Sequence, residues 1–250
     1  MKETRIIMGM PVTIDVVDAR CTTEVLERVF AYFEYIESVF SVFRPETEIS
    51  KINRGELSVE ESSDDVRTIF MLAEETKNAT EGYFNIVHPN GTYNPSGLVK
   101  GWAIFNAAEL LRQEGFVDFY VDAGSDIEMS GHNAHGDLWS VGIRNPFGDN
   151  RNEIVKVVYG SDMGVATSGS YIRGDHIYNP HTGERASQDV VSLTVVGPNI
   201  YEADRFATAG FAMGKNGILF IEKTPGIEGY MITKEGLATE TSGFHRYTRI

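Results

Sequence analysis

The stretch Asn94–Leu111, NPSGLVKGWAIFNAAELL, changes character halfway along. It opens as a turn, with Asn94, Pro95, Ser96 and Gly97 together. It closes as a helix whose apolar residues return every three or four positions. The periodicity places this helix at about residues 98–114, with Gly115 as its C′ stop. Lys100 sits at the entrance, between Val99 and Gly101. Ser96 alone would serve as a cap, so a cation and two glycines there need a further reason. Glycine admits a ligand close to the main chain, and N–H groups at a helix start attract anions. Residues 96–101 are therefore a candidate phosphate-binding segment. The simpler reading makes Ser96 and Gly97 turn residues and Lys100 a solvated side chain.

Around this stretch the pattern alternates between helix and strand. Residues 22–40 read as an amphipathic helix burying Val25, Leu26, Val29, Phe30, Phe33, Ile36 and Phe40. A short helix is expected near Thr47–Ser50, and a longer one over 63–79 with Val66, Ile69, Phe70, Leu72 and Ala73 inward. Residues 5–18 read as one strand with Met8-Gly9-Met10 near its middle, and 117–124 as a half-buried strand ending in the loop Gly124-Ser125-Asp126. LWSVGIRNP, MGVATSGSY, HIYNPHTGE and VVSLTVVGP read as strands and tight turns. A helix pair over 200–223 precedes a strand at 229–233. This is a mixed α/β fold. With no repeat or obvious linker, residues 1–250 are expected to form one domain.

Composition narrows the function. The formal net charge of −14 disfavours nucleic acid or an anionic membrane surface as partner. An acidic protein that binds an anion needs main-chain N–H groups, a few cations or a metal at the site. The single cysteine, Cys21, can form neither an internal disulfide nor a thiolate metal site. The opening MKETRIIMGMPVTID has no apolar leader core, and no run has the length of a membrane span. The expectation is a soluble, cytoplasmic protein.

Three short segments share small, hydroxyl- or glycine-rich composition: Ser96-Gly97 with Lys100, Gly124-Ser125-Asp126, and Thr167-Ser168-Gly169. Consecutive N–H groups in such segments make anion-binding concavities. None has the glycine spacing of a Walker or dinucleotide-binding loop. In EADRFATAGFAMG, residues 202–214, Asp204 and Thr208 stand four apart and so share one helix face. A carboxylate and a hydroxyl in that register can hold a hard cation such as Mg²⁺, completed by a carbonyl, water and ligand phosphate. Alternatively Asp204 faces solvent and complements the helix dipole. His176, in RGDHIYNPHTGE, is a candidate acid–base or phosphate partner. The other histidines show no zinc-binding spacing. Phe43, Tyr83, Tyr93 and Tyr171 offer faces for a planar ligand, while Phe84 reads as core.

Taken in order, SVFRPETEISKIN, NPSGLVKGWA, VDAGSDI, ATSGSYIRGDHIYNPHTG and EADRFATAGFAMG resemble the ApbE family of FAD:protein FMN transferases, from near Met8-Gly9 to about Gly214. The resemblance implies two intertwined α/β halves with FAD in the cleft between them. It implies contacts to FAD from Met8, Phe43, Tyr83, Ser96, Gly97, Val99, Lys100, Gly124, Ser125, Asp126, Thr167, Ser168, Gly169, Tyr171 and His176. It implies Mg²⁺ held by Asp204, Thr208 and a main-chain carbonyl near Gly97. The implied reaction moves FMN from FAD to a threonine hydroxyl of a target flavoprotein and releases AMP, with His176, Lys100 and Asp204 as catalytic residues. The same site suits a Mg²⁺-dependent FAD pyrophosphatase, or a flavin-binding protein without turnover. Asn94, Asn85 and Phe105 stand where many relatives carry aspartate. Their effect is expected on metal binding or on the order of the cleft, with Asp204, Thr208, Lys100 and His176 retained.

Overall fold

The computed structural model describes residues 1–88, 90–147, 153–170, 177–186 and 189–249. The first expected strand is in fact a hairpin, β1 (Lys2–Ile7) and β2 (Met10–Val16). Met8 and Gly9 form its turn, with φ of 55° and 70°. Two successive left-handed residues reverse the chain with the twist a hairpin needs. Because Met8 is apolar, the turn looks like strand interior in the sequence.

The helices α1 (Thr23–Phe40), α2 (Glu48–Asn53) and α3 (Asp64–Ala79) follow. All seven apolar residues assigned to the inner face of α1 are buried. Thr22 stands at the N-cap of α1 without making a side-chain cap bond, whereas Thr47 and Ser63 cap α2 and α3 through their hydroxyls. In α3 the fully buried positions are Val66, Ile69, Ala73 and Thr76, and Phe70 and Leu72 are half-buried. Helix α4 (Ser96–Gln113) starts at Ser96 itself, with Pro95 at the N-cap. The Asn94 side chain takes the Ser96 N–H at 3.1 Å.

Strands β3 (Phe119–Ala123) and β4 (Asp126–Ser130) make a second tight hairpin. Gly124 and Ser125 form the turn at φ of 64° and 77°. Then come β5 (Trp139–Arg144), β6 (Ile154–Gly160), β7 (Met163–Gly169) and β8 (Val190–Gly197). Helices α5 (Ile200–Ala212) and α6 (Gly217–Lys223) lead to β9 (Glu228–Thr233) and β10 (Ala238–Glu240).

Eight strands form one sheet in the order β1-β2-β3-β4-β7-β8-β9-β10, and β5 and β6 pair separately. Every strand pairing among the described residues is antiparallel. The helices are therefore not crossovers between parallel strands. They gather on one face, where Phe30, Phe33, Ile104, Phe119, Val121 and Phe211 belong to the larger core. A smaller core on the other face joins Trp139, Ile143 and Val158 of the β5–β6 pair to Met129, Val165, Val196 and Phe244. The first four strands and the last four share one sheet, and the helix from each half that matters most, α4 and α5, pack against one another. No helix among the described residues is long and apolar enough to cross a membrane.

Candidate functional site

The crossing of α4 and α5 builds the site. A Cβ placed on Gly101 would stand 2.7 Å from the Asp204 Cβ and 3.1 Å from the Ile200 carbonyl oxygen. Only glycine lets the two helices come this close. The Gly101 N–H donates to Asp204 Oδ2 at 2.9 Å. Lys100 Nζ lies 3.5 Å from Asp204 Oδ1 and pairs closely with Asp126 Oδ2. Lys100 is thus not a solvated side chain; it neutralises one of two buried carboxylates. One turn along α5, Thr208 faces Gly97, where an added Cβ would meet its methyl at 3.3 Å. The Ser168 and Thr208 hydroxyls are 3.5 Å apart.

The sheet supplies the opposite side. The β4–β7 ladder runs from Met129 and Met163 to Ile127 and Val165. Beyond it the Asp126 side chain takes over, accepting the Thr167 N–H at 2.9 Å. The Thr167 hydroxyl meets that of Thr194 at 2.9 Å. Adjacent strand residues point to opposite faces, and both Thr167 and Ser168 line the cavity, so it is open to both sides of the sheet.

The cavity has a volume of about 740 Å³, inside the range of roughly 300–1,000 Å³ that small-molecule sites occupy. Tyr83, Ser96, Gly97 and Lys100 line it from the N-terminal half. Gly124 and Ser125 line it at the β3–β4 turn, and Thr167, Ser168, Gly169, Asp204 and Thr208 from the C-terminal half. Asp126 is 1% exposed and lies behind this wall, holding Lys100 and Thr167 in place.

Besides Asp126, three described residues assigned to FAD binding are not in the lining. Phe43 is 92% exposed, on the segment between α1 and α2. Val99 is buried in the larger core, on a different side of α4 from Lys100. Met8 forms the hairpin turn and rests against that core. Tyr171 and His176 lie outside the described residues. Phe84 is both core and lining, and Tyr93 packs on Phe70 at a ring distance of 4.9 Å. The departures from aspartate are compatible with local order. Asn94 takes the Ser96 N–H, Asn85 takes the Val87 N–H at 2.9 Å, and Phe105 rests on the core.

A second arm of the cavity escaped the sequence reading. Tyr120 and Asp122 of β3 and Trp139 and Arg144 of β5 line it, together with Lys2. Alternation in FYVDA does put Tyr120 and Asp122 on one face, but nothing local shows that β5 and β6 close over them.

Charge is concentrated where water is scarce. Burial pushes the Asp204 carboxyl up to about 7; Lys100 opposes this and the Asp126 charge adds to it. Burial likewise pushes Asp122 up to about 6, against the pull of the Ser125 N–H. Two carboxylates facing one ammonium leave the α4–α5 junction short of positive charge. Among the described residues no group of three or more His, Cys, Asp or Glu gathers as a metal cage. The oxygen donors at hand are one carboxylate, the Thr208 hydroxyl and the main chain near Gly97. That set suits Mg²⁺, which takes one or two carboxylates and completes its shell with water and phosphate.

The ApbE family pattern matches residues 8–92 and 88–231, so the chain belongs to the ApbE family. It is 33% identical over 154 residues to the FAD:protein FMN transferase of Escherichia coli K12, covering 58% of this chain and 44% of that protein. It is 31% identical over 147 residues to the transferase of Vibrio cholerae, covering 56% and 44%. The matched stretch thus spans less than half the length of these relatives. The flavin transferase ApbE structure from Vibrio cholerae superposes with a TM-score of 0.86 at 21% identity, over 99% of this chain and 98% of that one. The ApbE protein of Thermotoga maritima gives 0.86 at 20%, over 100% and 99%. These likenesses establish the fold.

Proposed function

We propose that this chain, as one ApbE-like unit, is a FAD:protein FMN transferase, taking FAD and a flavoprotein with an acceptor threonine. The observation that carries the reading is the junction of Gly97, Lys100 and Gly101 on α4 with Asp204 and Thr208 on α5, opening on a cavity of about 740 Å³. In the reaction the threonine oxygen bonds to the FMN-side phosphorus, the bond from that phosphorus to the bridging oxygen breaks, and AMP departs with the oxygen. Mg²⁺ bound by Asp204, Thr208 and the Gly97 carbonyl would neutralise charge on the diphosphate.

The chain's own residues do the rest. Lys100 brings a cation to the diphosphate while Asp126 holds its ammonium group in place. The α4 N-terminus and the Ser168–Gly169 end of β7 present N–H and hydroxyl donors to phosphate oxygens, while Thr167 is held by Asp126 and Thr194. His176 accepts the threonine proton. Replacing His176 by alanine is expected to leave FAD binding near the parent value while transfer falls by roughly two to four orders of magnitude, the range for a lost acid–base group. Lost binding with normal turnover of the FAD still bound would remove His176 from that role.

The direct test is incubation with FAD, Mg²⁺ and candidate flavoproteins, followed by mass spectrometry. An FMN-sized addition on threonine with equimolar AMP is the expected result. AMP with free FMN would make the chain a hydrolase, and no AMP at all would leave it a binding protein.

A further inference from the structure

Glu128 is a buried carboxylate with no part in the chemistry above. It sits on β4 and is 1% exposed. Its Oε1 accepts from Arg112 Nη2 at 2.7 Å, and its Oε2 accepts the main-chain N–H of Ile200 at 2.7 Å. Arg112 lies in the last turn of α4. Ile200 is the first residue of α5, and its N–H is among those that no carbonyl of the helix can satisfy. The Asn199 side chain takes the N–H of Glu202 and its carbonyl that of Ala203, which leaves the Ile200 N–H to Glu128.

Ile200 is gripped on two other sides. A Cβ on Gly164 of β7 would fall 2.1 Å from its nitrogen, and one on Gly101 of α4 would fall 3.1 Å from its oxygen. One turn further, about 6 Å along the axis, stands Asp204. Any slide or rotation at Ile200 therefore moves Asp204 against Gly101 and Lys100 directly.

We infer that Glu128 is a positioning residue: it fixes the start of α5, and through Arg112 the end of α4, so that both helices of the site are referenced to one carboxylate. Its consequence for ligand binding rests on the function proposed above; its geometry does not. Partners that orient a ligating side chain commonly matter 10- to 100-fold.

The test uses the full chain with Glu128→Ala and Glu128→Gln, the second keeping an acceptor for the Ile200 N–H. FAD affinity is measured by flavin fluorescence with and without Mg²⁺, and amide hydrogen exchange is followed in parallel. E128A is expected to weaken Mg²⁺-dependent FAD binding about tenfold, with E128Q within about threefold of the parent. Exchange in E128A should quicken at residues 200–204 and at Gly101 and not at β8, and E128Q should restore it. Unchanged affinity in E128A, or exchange that rises evenly over the whole chain, would overturn the inference. If the parent chain binds no FAD with Mg²⁺, the functional reading fails, and the exchange pattern alone decides for or against Glu128. Should E128A not fold, Arg112→Met tests the same tether, since that side chain is 30% exposed. It is expected to quicken exchange at the same amides, and no change there counts against the proposal.

Discussion

An Asp204→Asn chain is expected to lose FMN transfer by about two to three orders of magnitude, the usual cost of removing one preorganised charge-stabilising group, while gaining stability above neutral pH. Both effects come from the same burial. Asp204 is 2% exposed, and its charged form is held by the Gly101 N–H and by Lys100, which it shares with Asp126. Burial wins over these partners and raises the carboxyl to about 7. A carboxyl raised in the folded state binds its proton more tightly there than in the unfolded chain. Stability of the ligand-free protein therefore falls as pH rises from the ordinary aspartate range, near 4, to about 7, and is level beyond that. The loss is on the order of a few kcal/mol. Asparagine fills the same space and can accept the Gly101 N–H without carrying the charge. Urea unfolding at pH 5 and pH 8 should show the parent weaker at pH 8, and D204N with a smaller drop, since Asp122, raised to about 6 by burial, still titrates in that window. Saturating Mg²⁺ and FAD should restore the parent at pH 8 and leave D204N unaffected. Equal pH dependence in both proteins would mean that Asp204 is not the group responsible, and full transfer by D204N would remove it from the site.

Legibility in the sequence followed the range of the interaction involved. Helix α1 shows itself because its buried positions repeat within one element, and every apolar residue assigned to its inner face is buried. Asp204 and Thr208 were legible for the same reason, being one helical turn apart. The hairpin turn at Met8-Gly9 was hidden because an apolar side chain occupies a left-handed position, where asparagine or glycine would have signalled a turn. Strand β4 was hidden by its charges. Asp126 reads as a loop residue, yet it and Glu128 are 1% exposed because Lys100, Thr167, Arg112 and Ile200 come to them from other elements. The position of Phe43 was illegible in the opposite sense. An aromatic residue near promising loops suggested a ligand face, and it stands 92% exposed and away from the cavity lining. The β5–β6 wall depends wholly on a pairing that no local pattern encodes.

Replacing Gly101 by alanine should destabilise the protein by about 1–3 kcal/mol, the cost of forcing a methyl group into a full interior, and should reduce transfer about a hundredfold. The sign is what makes this informative. In an exposed helix interior the same change stabilises by about 1 kcal/mol, because glycine is the poorer helix former. Here the new Cβ would lie 2.7 Å from the Asp204 Cβ, 3.0 Å from its Oδ2 and 3.1 Å from the Ile200 oxygen. None of these is the loose end of a flexible chain; two belong to the root of a side chain and to the main chain of α5. Relief requires α4 and α5 to separate, and separation lengthens the bond from the Gly101 N–H to Asp204. A displacement near 1 Å at such a site is enough for a hundredfold loss. Gly97→Ala is the natural comparison, since its Cβ would meet the Thr208 methyl at 3.3 Å, where a small rotation gives room. Urea midpoints and transfer rates for the two variants should therefore differ, with G101A lower in both. A G101A chain that is more stable than the parent would show that the helices do not meet at that glycine, and the glycines flanking Lys100 would then need another explanation than the close approach of α5.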